Sequence, residues 1–477
     1  MRTLEDHLGH ILNDSVCEGS PGALHEVEDL KHDKSPAERC YPHVSSRALR
    51  SLDYGVFRRD LVSIRMSLPP ASARTLYLCY FGLREPLVQT QVLPYLRQLS
   101  AAGIKVHLLT FEPRLRKEWS EGELKKQRER LMAEGISWFC LPYHKSPSVP
   151  ATVYDIVAGA RFAARMVRRE GVNVLHARAH VPMAMALWAR RFARVKLIFD
   201  IRGLMAEEYS DAGIWTEHSL PFRLVKRFER AGIRRADQIV VLTERLRSWL
   251  IAQNLKSTAQ IEVIPCCVDF SRFEEGLAGV ADPTAPRMAE DQFEVIYAGS
   301  LVGLYLVEEM GRFFKAIKTQ RTNAFLRILS ISPPEPGATE LKRAGLDEND
   351  FEIKAVPPSD VPGYLRRASL GVSFRKSAFA QIAASPTKIP EYLAAGLPVV
   401  CNAGIGDMDE LVEREQVGVV LRNFDDETYQ KAAAQALALA DDVEVRRRCR
   451  KLAHDCFDLE TIGGQRYVRL YQRLTAK

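Results

Sequence analysis

The chain has 477 residues, and 46% of them are hydrophobic. This length exceeds that of one ordinary domain and predicts two α/β domains with an extension. The formal net charge is +7, from 67 basic and 60 acidic residues. So small an excess favours a mild attraction to phosphates, nucleotides or an anionic membrane surface, and it excludes a protein that coats nucleic acid.

The cysteines and the hydropathy indicate the compartment. Neither the adjacent Cys266 and Cys267 nor the distant Cys449 and Cys456 form the CxxC pair of a zinc site, so reduced thiols are expected. No apolar run approaches the ~20 residues that span a bilayer, and the start MRTLEDHLGHILNDSV lacks the layout of a secretory signal. We expect a cytoplasmic protein, either free or peripheral on the inner face of the plasma membrane.

Residues 1–70 carry polar clusters and scattered histidines without sustained periodicity. This composition predicts a disordered N-terminal extension. Met66 opens MSLPPASARTLYLCYF, so two interpretations stay open. The segment is a short accessory arm, or translation begins at Met66.

From Thr75, short apolar runs alternate with longer amphipathic stretches, as the βα units of a parallel sheet require. We assign residues 71–269 to a first Rossmann-like domain. In a doubly wound sheet ligands bind beyond the carboxyl ends of the strands, so polar residues at those ends are the candidates for function. The strand-like runs are TLYLCYF, IKVHLLTF, SWFCLPY, VNVLHA, KLIFDIRG, DQIVVLT and IEVIPCCVD.

A second alternating series follows a break in the pattern. Residues 270–292 gather proline, glycine and acids, which predicts an interdomain linker. Residues 293–455 predict a second Rossmann-like domain, and residues 456–477 predict a helix that packs back on the first domain. The strand-like runs of the second domain are FEVIYAGS, FLRILSIS, FEIKAVP, LGVSFRK, LPVVCN and VGVVL.

The segment SPTKIPEYLAAGLPVV, residues 385–400, predicts a short helix with a restricted start. Proline is tolerated only in a first turn, so a helix with Thr387 as N-cap places Lys388 first and Pro390 third. The missing N–H of Pro390 then costs nothing, because first-turn donors have no partner within the helix. Gly396 occupies the position of a left-handed C-terminal residue.

This helix start gathers donor, cationic and carboxylate groups within one turn. Its free N–H groups form an anion site, and Lys388 adds a positive charge beside them. Glu391, on the same face, can accept two hydrogen bonds from vicinal hydroxyls such as a ribose diol. The turn therefore predicts a diphosphate-and-ribose site. The alternative is a capped helix in which Lys388 and Glu391 form only a weak surface pair.

The longer segment SPTKIPEYLAAGLPVVCNAGIGDMDELV resembles the donor-nucleotide segment of the GT-B-fold retaining glycosyltransferases of family 4. VIYAGSLVGLYLVEEMGRFF resembles the opening strand and loop of that family's second domain, and VIPCCVDFSRF resembles its interdomain signature. LVQTQVLPYLRQLSAAGIKVHLLTFE resembles its first glycine loop and helix, and FDIRGLMAEEYSDAGIW is similar to a segment of a bacterial branch that builds surface polysaccharides. The resemblance implies two Rossmann-like domains that face an interdomain cleft.

The resemblance also implies an activity. A metal-independent retaining transferase would move a sugar from a nucleotide sugar, UDP- or GDP-linked, to a hydroxyl of a glycan or lipid-linked acceptor, in polysaccharide or glycoconjugate biosynthesis. No other cofactor and no nucleic acid are implied. In such enzymes the leaving diphosphate helps to deprotonate the incoming hydroxyl, so the protein positions both substrates and stabilises the developing charge. Arg375, Lys388 and Arg202 are the candidates for that catalytic role.

Two features of the family are absent. A glutamate eight positions before the one matching Glu391 usually contacts the transferred sugar, and Ala383 stands there. The Arg and Lys pair in the loop after the first strand of the second domain is missing from GSLVGLYLVEE. Phosphate charge must then be met by Arg375, Lys376 or Lys388.

Small residues and loops provide the other donor contacts. Gly299 and Ser300 end a strand and allow a phosphate to approach the backbone, although an ordinary tight turn explains them nearly as well. By analogy with the family the loop GIGDMDELV lies near the donor, although a plain connection explains its glycines equally well. The donor-binding candidates are Gly299, Ser300, Thr387, Glu391, Gly406 and Asp407.

The acceptor candidates follow strands of the first domain. His176 and His180 lack a convincing third ligand, so no metal site is predicted. We predict that Arg178 and His180 contact the acceptor or a phosphate, and that His176 is buried. Glu207 is the candidate that orients the acceptor hydroxyl. Arg202 stands near the position of a family histidine that touches the donor sugar, and it could serve by charge instead.

Two basic clusters, ARRFARVK and RLVKRFERAGIRR, could attract anionic lipid headgroups, although each is also an ordinary solvated helix face. Two alternative functions stay open: a sugar-nucleotide 2-epimerase on the same fold, and a non-catalytic subunit that binds nucleotide sugars. A nicotinamide oxidoreductase is disfavoured, because no strand is followed by GxGxxG.

Overall fold

The computed structural model describes residues 73–274 and 292–475. The predicted extension, the alternative start at Met66 and most of the predicted linker lie outside these residues. Two parallel sheets with helices on both faces confirm the predicted class of two Rossmann-like, doubly wound domains.

Within the described residues, the first sheet has seven parallel strands in the order β3-β2-β1-β4-β5-β6-β7. The order reverses between β1 and β4, which opens a crevice at the carboxyl ends of the strands. Leu76 lies in register with His107 on one side and with Leu175 on the other. The strands are β1 (Arg74–Leu78), β2 (Lys105–Glu112), β3 (Ile136–Pro142), β4 (Val174–Arg178), β5 (Lys196–Asp200), β6 (Gln238–Val241) and β7 (Ile261–Val263).

The second sheet, again counted over the described part of the chain, has six parallel strands in the order β10-β9-β8-β11-β12-β13. It reverses between β8 and β11, where Val295 pairs with Leu370. The three strands β11, β12 and β13 carry no charged residue, as expected for strands of a parallel sheet that helices cover on both faces. The strands are β8 (Phe293–Ala298), β9 (Ala324–Leu329), β10 (Phe351–Lys354), β11 (Leu370–Ser373), β12 (Val399–Asn402) and β13 (Gly418–Leu421).

Helices connect consecutive strands and bury their apolar faces against the sheets. Those before residue 275 are α1 (Pro86–Gln91), α2 (Leu93–Ala101), α3 (Leu115–Glu118), α4 (Glu121–Ala133), α5 (Ser148–Glu170), α6 (His180–Ala189), α7 (Met205–Asp211), α8 (Leu220–Arg235), α9 (Glu244–Ala252) and α10 (Ser271–Glu274). Those after residue 292 are α11 (Val307–Gln320), α12 (Pro334–Arg343), α13 (Val361–Arg367), α14 (Lys388–Ala394), α15 (Met408–Arg414), α16 (Asp426–Asp441), α17 (Val443–Phe457) and α18 (Gln465–Thr475).

The last helix returns to the first domain. The chain crosses back where Val268 and Asp458 form a bridge between extended segments. Tyr467 and Tyr471 of α18 are then buried in the first domain's core, on the sheet face that also packs α2 and α4. The Tyr471 hydroxyl lies 2.9 Å from the Thr75 hydroxyl in β1. Helix α18 thus completes the first sheet's cover.

Across the described ranges, every helix is too short or too polar to cross a bilayer. The seven cysteines in these ranges are free thiols, and most of them are buried.

Candidate functional site

Helix α14 begins where the sequence predicts, at Lys388, and Pro390 occupies its third position. Gly396 follows the helix with φ of +77°, in the left-handed region that ends a helix. Thr387 precedes the helix, but its backbone is already helical and its hydroxyl caps no N–H group. The predicted position of the helix, with Thr387 directly before it, is confirmed, but the Thr387 hydroxyl does not cap the helix.

Lys388 is buried against two aromatic rings. Its Nζ atom lies 3.8 Å from the centroid of the Tyr305 ring and 3.4 Å from the Tyr297 hydroxyl. A Cβ atom on Gly299 would lie 2.9 Å from the same Nζ, so a larger residue there would displace the end of the lysine side chain. Gly299 thus makes room for Lys388 at the end of β8.

Arg375 meets the other side of this cluster. Its backbone forms an antiparallel bridge with Tyr305, and its guanidinium lies 5.2 Å from the centroid of the Tyr305 ring. Tyr305 lies in the loop where the family has its basic pair. An aromatic ring in that loop therefore contacts two cations that come from elsewhere in the second domain, Arg375 and Lys388.

In the first domain, Asp200 at the end of β5 holds two arginines. Its carboxylate lies 3.4 Å from an Arg202 nitrogen and 3.6 Å from an Arg178 nitrogen, and it accepts a hydrogen bond of 3.2 Å from the Tyr467 hydroxyl. Burial opposes ionisation of Asp200, but the cations Arg202 and Arg178 and a contact with His176 lower its pKa well below the usual range. His176 itself is buried, as predicted. The charged Asp200 fixes both guanidiniums.

These groups meet in a cleft of about 170 Å³ between the two domains. From the first domain Arg178, His180 and Arg202 line it, and from the second domain Arg375 and Thr387 do so. The sequence predicted each of these five residues for the site, and the fold brings them together.

The side chains of the two adjacent glutamates of α7 point to different surroundings. Glu207, the predicted acceptor residue, is buried in a charge network, with Lys226 Nζ at 2.6 Å. Burial, only partly opposed by Lys226, raises the pKa of Glu207 to about 6. Glu208 lines the cleft instead. Its carboxylate needs the space beside Gly203, where a Cβ atom would lie 2.1 Å from Glu208 Oε1.

Glu208 is therefore a site residue that sequence reasoning missed. Burial raises the pKa of its carboxyl, while the charges of His180 and Arg375 oppose that rise. A carboxylate that lines the cleft with these two groups can accept a hydrogen bond from a hydroxyl there. From the sequence alone, Glu208 could be recognised only as one of two adjacent glutamates.

Glu391 pairs with Arg272, whose guanidinium nitrogen lies 3.2 Å from the carboxylate. Burial raises the pKa of Glu391, and Arg272 opposes the rise. The carboxylate is thus held at the junction between α10 and α14. Its predicted contact with a ribose diol would compete with this ion pair.

Three other donor candidates lie in packed positions. Ser300 is buried, and its hydroxyl lies 3.5 Å from the Ser332 hydroxyl. Gly406 has φ of +52°, and a Cβ atom there would lie 2.0 Å from the Ala384 carbonyl oxygen. The Asp407 carboxylate accepts hydrogen bonds of 2.7 and 3.1 Å from the first two N–H groups of α9 in the other domain. Asp407 therefore joins the domains, and its role towards the donor stays a prediction.

Ala383 lies outside the cleft. The 3₁₀ turn Phe379–Ala383 inserts into the apolar core of the first domain, where Ala383 is fully buried. Phe379 contacts the Trp249 ring edge to face at 5.7 Å. A glutamate at position 383 would carry a charge into this apolar contact. The segment that follows, residues 384–387, lines the cleft.

Comparisons with known proteins agree with this architecture. Residues 88–267 match the family model described as a glycosyl transferase 4-like domain, and residues 282–455 match the model described as glycosyl transferases group 1. No curated protein matches the sequence significantly.

Solved structures share the fold at low sequence identity. A sucrose-phosphate synthase from Thermosynechococcus elongatus is 17% identical, with a TM-score of 0.61 over 84% of this chain and 99% of that one. Anabaena HepE, solved in complex with UDP and glucose, is 15% identical, with a TM-score of 0.56 over 83% and 98%. WaaG, a glycosyltransferase involved in lipopolysaccharide biosynthesis, is 14% identical, with a TM-score of 0.54 over 84% and 99%. The two matched domains and this two-domain architecture show that the chain belongs to the family 4-type glycosyltransferases of GT-B fold.

Proposed function

We propose that the protein is a retaining glycosyltransferase that moves a sugar from a nucleoside diphosphate sugar, UDP- or GDP-linked, to a hydroxyl of a glycan or lipid-linked acceptor. The reaction needs no metal ion and takes place in the cytoplasm, in polysaccharide or glycoconjugate biosynthesis. HepE, solved with UDP and glucose, supports a nucleotide sugar as the donor.

One observation carries the proposal: cations from both domains line the same cleft. Arg178 and Arg202 are held there by Asp200, and Arg375 reaches it from the opposite domain. Lys388 lies behind Tyr305, which also lines the cleft. A diphosphate carries the charge that such an arrangement stabilises, and fixed cations in a partly dry site act more strongly than solvated ones.

The proposed reaction breaks the bond between the anomeric carbon and the diphosphate oxygen. The acceptor oxygen forms its new bond on the same face of the sugar, and its proton passes to an oxygen of the leaving diphosphate. Arg375, Lys388 and Arg202 stabilise the negative charge on that leaving group. Glu208 and His180 orient the acceptor hydroxyl, and the cleft between the domains holds both substrates in reacting geometry.

A second function has one observation in its favour. Ala383 is packed in an apolar interdomain contact, so the carboxylate that usually touches the transferred sugar is missing from the cleft. A subunit that binds nucleotide sugars without turnover would tolerate this loss. The cations of the cleft would then serve binding alone.

The decisive experiment incubates the protein with labelled UDP-, GDP- and ADP-sugars, with and without a lipid-linked acceptor, in buffer with and without EDTA. Transfer with retained anomeric configuration, at the same rate in EDTA, is the expected result. Inversion at C2 of the free sugar nucleotide would indicate the epimerase instead. Tight nucleotide binding without any turnover would establish the binding subunit and overturn the proposal.

A further inference from the structure

Helix α8 presents an apolar stripe to solvent. Leu220, Leu224 and Phe228 are 62%, 48% and 58% exposed, and they follow one another at intervals of four residues. Residues at this spacing lie on one face of a helix. Grouped large apolar side chains on a surface usually mark a binding face, because exposing them to water is unfavourable.

Arginines surround this stripe. The only acid of the helix, Glu229, is buried on the opposite side with Lys226. Among the described residues, no carboxylate forms an ion pair with the exposed arginines of α8, so their charge faces solvent. These arginines are Arg223, Arg227, Arg230, Arg234 and Arg235.

The C-terminal end of α8 adjoins a basic hollow that follows α6. The hollow has a volume of about 640 Å³, and besides Asn173 and apolar residues it is lined by four basic side chains. Arg190 donates a hydrogen bond of 2.7 Å to the Arg235 carbonyl, which links the hollow to α8. Asp237 forms ion pairs with Arg190 and Lys196. The basic side chains are Arg190, Arg191, Arg194 and Lys196.

Aromatic residues lie at the rim of the same surface. Phe192 is 58% exposed in the hollow, and Trp188, one turn earlier at the end of α6, is 39% exposed. Tryptophan and arginine side chains beside apolar ones are typical of the interface between water and lipid. There the polar groups contact headgroups and the apolar groups contact acyl chains.

We propose that the outer face of α8, with the basic hollow at the end of α6, binds the surface of an anionic lipid bilayer. The stripe Leu220, Leu224 and Phe228 enters the boundary between headgroups and acyl chains, and the arginines on both sides contact lipid phosphates. The aliphatic Leu220 and Leu224 in the stripe offer no ring on which a base could stack, so they favour lipid over nucleic acid.

The inner face of the same helix reaches the cleft. Lys226 contacts Glu207 at 2.6 Å, and Glu229 contacts His180, a residue of the cleft wall, at 3.0 Å. A helix is about 10 Å across, so the cleft lies close behind the proposed lipid surface. A lipid-linked acceptor could then enter from the bilayer. This consequence rests on the proposed function, whereas bilayer binding itself does not.

The test uses the purified full chain in co-sedimentation with vesicles of phosphatidylcholine alone, or of phosphatidylcholine and phosphatidylglycerol in equal parts. The protein is expected to sediment with the anionic vesicles only, and added salt should release it because salt screens the attraction. The double variant L224S/F228S and the triple variant R223Q/R227Q/R230Q should each bind roughly tenfold more weakly or worse.

Matched controls separate this surface from general charge and hydrophobicity. Lys125→Gln, Lys126→Gln and Arg130→Gln together remove three exposed charges from α4, which packs on the other face of the first sheet, and Ile331→Ser removes an exposed apolar side chain of the second domain. Both should bind like the wild type, and circular dichroism checks the fold of every variant.

Three outcomes would overturn the proposal. One is the absence of binding to anionic vesicles, and another is binding that the α8 variants leave unchanged. The third is equally tight binding of a single-stranded RNA oligomer that depends on the arginines but not on Leu224 and Phe228, which would identify a polyanion site. Because no donor or acceptor enters this assay, its result is independent of glycosyl transfer.

Discussion

Lys388 is the proposed phosphate-binding residue of the second domain. It lies at the start of α14, and its ammonium group contacts the Tyr305 ring of the cleft wall. Lys388→Ala should weaken UDP or GDP binding roughly 10- to 100-fold, because a charge-assisted hydrogen bond to phosphate is worth about 1.5–3 kcal/mol. Isothermal titration calorimetry measures this change.

Lys376→Ala is the matched control, because the Lys376 ammonium group already donates to the Asp211 carbonyl at 2.8 Å. Its nucleotide affinity should stay close to that of the wild type. Glu391→Ala should also weaken binding, through the lost acceptor for the ribose hydroxyls. Unchanged affinity in both Lys388→Ala and Glu391→Ala would contradict the assigned nucleotide site.

Glu207 and Glu208 differ in what they contact, although they are neighbours in the chain. Glu208→Gln should lower the rate of sugar transfer about 100-fold with unchanged nucleotide affinity, because a misplaced acceptor hydroxyl reacts slowly. Glu207→Gln should instead lower the midpoint of unfolding, because it breaks the buried ion pair with Lys226. Kinetics with the donor and acceptor found in the substrate screen, together with urea unfolding, distinguish the two. Equal transfer rates in Glu208→Gln and the wild type would remove Glu208 from the site.

At the scale of elements, the strands could be predicted from the sequence because their apolar runs are short, buried on both faces and bounded by polar loops. The start and end of α14 could also be predicted, since Pro390 and Gly396 restrict the backbone wherever they stand. The choice between Glu207 and Glu208 could not. Adjacent helical residues point about 100° apart, and only the position of Lys226 on another helix decides which one turns inward.

The loop before α15 depends on a glycine. Gly406→Ala would place a Cβ atom 2.0 Å from the Ala384 carbonyl oxygen and keep a left-handed backbone, so it should destabilise the protein by more than about 1 kcal/mol. Gly404→Ala is the control, because φ there is +86° but the nearest neighbour is Ser377 Oγ at 3.5 Å. Gly404→Ala therefore has the free-energy cost of a left-handed alanine but no steric clash. In urea unfolding, Gly406→Ala should be less stable than Gly404→Ala. The reverse order would show that the loop does not depend on this close approach.

At the scale of the whole molecule, the two domains are joined by polar contacts that no local pattern predicts. Thr243 at the start of α9 donates to the Ile382 carbonyl, and Arg245 pairs with Asp409 and Glu410 at 2.8 and 2.9 Å. Sequence periodicity predicts where helices lie, but it does not predict which residues of the other domain contact the helix ends. The arginines that line the cleft were thus candidates from the sequence, whereas the contacts that hold the domains together were not.

Asp407 makes this junction sensitive to pH. Its carboxylate accepts from the backbone N–H groups of Glu244 and Arg245, and burial raises its pKa to about 7 although those hydrogen bonds oppose the rise. The unfolded chain releases this proton near pH 4, so between about pH 4 and about pH 7 the folded state binds more protons than the unfolded state. The contribution of Asp407 to stability is thus complete at low pH and is lost as the pH rises to about 7.

Asp407→Asn removes this titration, so the variant should gain stability relative to the wild type between about pH 5 and about pH 8. Urea unfolding followed by tryptophan fluorescence measures the difference between the two midpoints at each pH. Glu207, with a pKa raised to about 6, titrates in both proteins and cancels in that difference. Asp347→Asn, at an exposed carboxylate of the second domain, is the control and should show no such trend. If the difference between the midpoints of Asp407→Asn and the wild type is the same at about pH 5 and at about pH 8, Asp407 does not titrate at the junction.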